Sequence, residues 1–179
     1  MHKNVIVVLV VLFCVATLFN GCGFHLRGSV AISEALSPVL VQDNGGSQIK
    51  PVLNQLLDIN HINIAQNSAE ANSVVVIHNE QFQRRVSSVG GAGKVQEFEL
   101  QYLLRYSILD QDNQPLLAQQ QLRVTRDLRF DENAVLAKAQ EEAQRNKDMV
   151  MDAAQQVLRR LQSVSRHEAG SVPNSDGSS

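Results

Sequence analysis

The stretch from Glu97 to Ile108 constrains the fold more than any other part of this chain. Phe98, Leu100, Tyr102, Leu104, Tyr106 and Ile108 alternate with Glu97, Glu99, Gln101, Arg105 and Ser107. Successive strand side chains point to opposite faces, so a period of two this long predicts a half-buried antiparallel strand. Burying the six apolar side chains would contribute on the order of 10 kcal/mol, at ~1.5–3 kcal/mol each. That outweighs the helical preference of Leu and Glu. Asp110 to Pro115 reads as a hairpin turn. Leu116, Ala118, Leu122, Val124 and Leu128, set against Gln119, Gln121, Arg123 and Thr125, read as the return strand. Upstream, Val74 to Ile77 opens a strand that continues towards Val86. The three strands predict an antiparallel sheet with one apolar face.

Two segments carry the period of a helix instead. Ile49, Val52, Leu53, Leu56 and Leu57 fall at i, i+3, i+4, i+7 and i+8, one stripe on a short helix. Asp43-Asn44-Gly45-Gly46 precedes it as a turn, because Gly and Asn accept positive φ. Ser47 is the expected cap, Pro51 lies in the first turns, and Asn60 ends the helix. A brief strand, Val39 to Val41, follows Pro38, and Ile62 to Ile64 is a further short strand. The second helix is expected from about Glu132 to about Gln162, with Asp131 as its cap. Its stripe is Val135, Leu136, Ala139, Ala143, Met149, Val150, Ala153, Ala154, Val157, Leu158 and Leu161. Residues 163–179, rich in Ser, Gly, Pro and Asn, are expected to be disordered. The predicted fold is α+β: a single domain over residues 22–162, with two helices packed on one face of a mostly antiparallel sheet.

The N-terminus has a different character. His2 and Lys3 precede an apolar run from Val5 to Phe19, shorter than the about 20 residues of a membrane-spanning helix. Cys22 follows directly. Phe19-Asn20-Gly21-Cys22 keeps a small residue only at Gly21, but no A-x-A cleavage pattern competes with it. Residues 1–21 are therefore read as a lipoprotein signal peptide, and Cys22 as the lipid attachment residue. Gly23, where Asp would retain a lipoprotein at the inner membrane, favours the outer membrane. The only other cysteine, Cys14, lies in the removed run, so the mature domain relies on packing without disulfides.

Charge and motifs narrow the chemistry. Sixteen basic residues against eighteen acidic ones give a formal net charge of −2, with no basic excess to favour nucleic acid. Ser88 to Lys94 has the composition of a phosphate loop but opens a strand rather than a helix, so it reads as a flexible hairpin with basic flanks Arg84, Arg85 and Lys94. Asp110, Asp112 and Gln114 start like a calcium loop, but Pro115 and Gln121 stand where Gly and Glu are required. His25, His61 and His78 lack metal-ligand spacing. There is no G-x-S-x-G, and adjacent Glu141 and Glu142 read as a solvated helix face. No metal, cofactor or catalytic group is expected. Arg105, Arg123 and Lys138 remain as outward basic residues, the natural partners of phosphate.

The run Gly21-Cys22-Gly23-Phe24-His25-Leu26-Arg27-Gly28 resembles the start of the LptE family of outer-membrane lipopolysaccharide-assembly lipoproteins. The likeness extends through the early helix, the Gly-rich hairpin, the Asn133 to Lys138 entry of the long helix and its Leu158-Arg159-Arg160-Leu161 close. The resemblance implies a non-enzymatic protein, lipid-anchored at the outer membrane. Its partners would be lipopolysaccharide and a large β-barrel translocon of the LptD type, which it plugs and helps to fold. It also implies the same two-helix, one-sheet fold. Lys138 matches a family basic residue linked to lipopolysaccharide contact. At the family's second basic position, in the hairpin, Gly91 stands instead, and Lys94 and Arg84 are the candidate substitutes.

Overall fold

The computed structural model describes residues 32–91, 93–131 and 133–170. A 3-10 turn at Glu34–Leu36 leads into strand β1 (Val39–Asp43), helix α1 (Ile49–Ile59), strands β2 (Ser73–Val89), β3 (Val95–Asp110) and β4 (Pro115–Arg129), and helix α2 (Val135–Gly170). The four strands form one sheet in the order β1-β2-β3-β4. β1 runs parallel to β2, and the other two pairings are antiparallel. The expected strand at Ile62 to Ile64 reduces to a single bridge between Ile64 and Val39.

Both helices pack on one face of the sheet. Ile49, Leu53 and Leu57 of α1 and Met149 to Leu161 of α2 share one core with Val75, Ile77, Leu100, Tyr102, Leu104 and Ile108. The alternation read in β3 is the pleat of this central strand. On the opposite face a small second cluster forms where Ala65 and Ala71 cover Val74, beside Leu40, Val76 and Leu109. Beyond it that face is largely polar, with Leu103 among Gln81, Gln83, Gln101, Arg105 and Arg123.

A register shift between Ile77 and Asn79 changes which side chains of β2 meet the helices. An extra residue in one strand flips the parity that follows it. Val75 and Ile77 are buried before the shift, and Glu80, Phe82 and Arg84 take the helix side after it. Glu80 uses this position to cap α1 across the fold. Its Oε2 accepts from the Gln48 backbone N–H at 2.8 Å, and its Oε1 accepts from the Tyr102 hydroxyl at 3.0 Å. Burial, and then the neighbouring Glu80, push the Tyr102 hydroxyl far above the ordinary phenol range. Ser47 contributes the local cap, accepting from the Lys50 N–H, so α1 has two oxygen partners at its first turn.

The long helix departs from the sequence reading at both ends. Asp131 accepts from the Asn133 N–H, and its carbonyl accepts from Ala134. That side-chain turn uses the capping carboxylate before the helix begins, so α2 starts at Val135 rather than near Glu132. At the other end α2 continues to Gly170 rather than stopping near Gln162. Leu161 and Ser165 are buried there, and the Ser33 N–H donates to the Ser165 hydroxyl. Packing against the N-terminal lead extends the helix into the segment read as tail. Residues 171–179 lie outside the described residues, as do Cys22 and the whole signal segment.

The stripe of α2 is the largest correction. Met149, Val150, Ala153, Ala154, Val157, Leu158 and Leu161 are buried, whereas Val135 and Leu136 are 59% and 78% exposed. Ala139 and Ala143 are exposed as well. The first turns of α2 leave the core, so their apolar residues have no sheet to pack on.

Candidate functional site

At the end of the sheet remote from the N-terminal lead, β2, β3 and the start of α2 bring a basic and aromatic group together. Arg84 lies opposite Leu100 in register, on the helix side of β2. Its guanidinium stands over the Phe98 ring, 4.7 Å from the centroid, and donates to Glu142 of α2 at 3.0 Å. Phe98 meets Phe130 edge to face at 5.5 Å. The Phe130 N–H donates to the Gln96 carbonyl, which fixes the entry of α2 against β3. These contacts place the first turns of the helix beside the basic strand.

Along α2, Lys138 donates to Glu141 at 2.8 Å, and Arg145 donates to the other oxygen of the same carboxylate at 2.9 Å. Positions three and four apart are neighbours on a helix, so one glutamate serves two cations. The hydrogen bond from Lys138, followed by that from Arg145, holds the Glu141 carboxyl below the ordinary carboxylate range. The adjacent carboxylates Glu141 and Glu142 therefore hold different cations, and neither is arranged as an acid–base pair. Three cations face two carboxylates. Arg84 and Lys138 keep 52% and 24% of their side-chain surface exposed. A phosphate could replace a carboxylate as partner of either, since both ligands accept the same charge-assisted bonds. Val86, Val89, Val135 and Leu136 add exposed apolar surface on the same elements.

The structure joins some of the sequence-predicted residues and separates others. Arg84 and Lys138 come to the same stretch of α2, Arg84 through its ion pair with Glu142 and Lys138 one helical turn before that residue. Lys94 belongs to the hairpin tip, where the Gly90 N–H donates to its carbonyl. Five residues of strand separate Arg84 from the tip at Val89, roughly 17 Å. Arg105 and Arg123 lie on the sheet face away from the helices, opposite Gln121 and Leu103 respectively, so they form no patch with Lys138. Asp110 spends its carboxylate on its own turn, accepting from the Asp112 and Gln114 N–H groups. Among the described residues no group of His, Cys, Asp and Glu could hold a metal ion, and no helix is long and apolar enough to cross a membrane. Sequence reading did not place Phe98, Phe130, Glu142 and Arg145 in the site. An aromatic just before the Asp131 turn was the available signal for Phe130. The β2 register shift that aims Arg84 at Phe98 leaves no mark in the pattern.

Two helices on one face of this sheet define an α+β domain shared with bacterial lipoproteins. Lipoprotein B of Nitrosomonas europaea is 32% identical, with a TM-score of 0.67 over 83% of this chain and 94% of that one. Rare lipoprotein B of Shewanella oneidensis, 20% identical, has the same fold at a TM-score of 0.65, over 73% and 98% of the two chains. The minor lipoprotein of Acinetobacter baumannii, 17% identical, follows at 0.58, over 70% and 90%. Comparison with curated proteins gives no match. The LptE family, described as lipopolysaccharide-assembly, matches residues 33–161. The chain belongs to that family.

Proposed function

We propose that this protein is an outer-membrane lipoprotein, anchored through Cys22, that plugs a β-barrel translocon of the LptD type, assists its assembly and contacts lipopolysaccharide. The observation that carries the ligand part is the ion pair that brings Arg84 of β2 to Glu142, one helical turn after Lys138, on elements that also expose apolar side chains. Lipid A joins phosphates to acyl chains, and this end of the molecule offers both kinds of partner. Lys94, at the hairpin tip, is a third contact for a ligand long enough to reach it. The role in this reading is non-enzymatic.

The opposite sheet face supports the plug. Gln83 donates to Gln81, and Arg85 donates to Gln83. This ladder of polar side chains lies on the same face as Arg105 and Arg123. A polar, mixed-charge surface suits the wet inner wall of a barrel better than an apolar one would. Affinity purification of the tagged full chain from mildly solubilised outer membranes tests the reading. A large β-barrel in near-equal amount is expected. Recovery of the lipoprotein alone, at native expression, would contradict it.

A further inference from the structure

The outer edge of the sheet carries a feature that lipopolysaccharide contact at Arg84 and Lys138 does not use. β4 pairs only with β3, so along Pro115–Arg129 its other edge meets no strand among the described residues. Two cavities of about 350 and 280 Å³ lie between this edge and α2, and both are lined by Gln156 and Arg159. They form one groove. Arg126 from β4 and Arg159 and Arg160 from α2 line its helix side against the single carboxylate of Asp152, and Arg123 borders the same edge from the other sheet face. Asp152 is taken by Arg126, and Arg160 lines the groove with Tyr106. Neither Arg123 nor Arg159 has a carboxylate partner among the described residues.

An open edge offers unpaired backbone donors and acceptors that only an extended polypeptide satisfies in series. The charge restricts which polypeptide. A second copy would lay one arginine row against another, so the edge opposes self-pairing. A strand with carboxylates would meet both the backbone and the guanidinium groups, and Arg binds carboxylate in a two-pronged fashion. We propose that the outer edge of β4 is a docking strand for an extended, acidic segment of another protein, held by Arg159 from the α2 groove and by Arg123 from the other sheet face. This site is independent of the lipopolysaccharide reading.

The test uses the full lipoprotein in detergent and a fluorescein-labelled peptide of about ten residues that carries Glu on both strand faces among Val and Thr. Fluorescence anisotropy is expected to show binding that weakens about tenfold or more in the Arg123→Glu, Arg159→Glu double variant. The same peptide with alternate amides N-methylated keeps its charge but loses edge hydrogen bonds, and it too should bind at least tenfold more weakly. Amide exchange in β4 should slow when the unmodified peptide is bound. Equal binding of the N-methylated peptide, or no binding of the unmodified one, would overturn the proposal. Phosphatidylglycerol vesicles that bind only the wild-type groove, while the peptide fails to bind, would overturn it in favour of an anionic-lipid site.

Discussion

The two halves of α2 share one amphipathic pattern and have opposite fates. From Met149 to Leu161 the apolar stripe is buried against α1 and the sheet. From Val135 to Ala143 a stripe of the same spacing faces outward. What orders the first half is charge: Lys138, Glu141 and Arg145 along the helix, and Arg84 reaching Glu142 from β2. Amphipathic spacing thus identifies a face and leaves open what covers it. One half is structural. The other holds the residues that the proposed ligand would meet, where core packing does not restrain them.

The comparison breaks most easily in the core. Leu161→Ala should cost about 2–5 kcal/mol in urea unfolding, while Leu136→Ala should stay within about 0.5 kcal/mol. Equal costs would mean that the first half is packed in solution. Tyr102→Phe sharpens the contrast next. It removes the hydroxyl that donates to Glu80, the cap of α1, and should cost about 1–2 kcal/mol by thermal or urea unfolding. No loss would show that the long-range cap does not contribute. Arg84→Ala removes an exposed pair and should cost at most about 1 kcal/mol; a larger loss would make Arg84 part of the structural half.

Acid provides the gentlest probe. Glu141 titrates below the ordinary carboxylate range because Lys138, and then Arg145, bond its charged form. Its contribution is fully present above the unfolded value, about 4.3, and is lost as pH falls through the lowered folded value. Amide exchange across residues 138–146 should therefore quicken in that window before exchange across 149–161 changes. Simultaneous change in both segments would contradict the division.

The layout of the fold was legible because its core elements carry long, regular periods. The Phe98 to Ile108 alternation and the Ile49 to Leu57 stripe fall where the sheet and α1 bury them. The ends of α2 were not legible, because Asp131 was free to close a turn instead of capping, and Ser165 found a partner distant in sequence at Ser33. The site was half visible. Lys138 and Arg84 stand out in sequence as basic residues, but the placement of Arg84 beside α2 depends on a register shift and on Phe130, both tertiary facts. Arg105 and Arg123 stand apart from that site. Their outward alternation was read correctly, yet outward on this sheet means the face away from α2.

In the proposed function, the uncovered half of α2 and the facing strand receive lipopolysaccharide. The most direct measurement is binding of purified lipopolysaccharide to the full lipoprotein in detergent, for wild type and for an Arg84→Glu, Lys138→Asp variant, with the melting temperature of each recorded. Binding at least tenfold weaker is expected in the variant at a nearly unchanged melting temperature. Undiminished binding in a folded variant would contradict it.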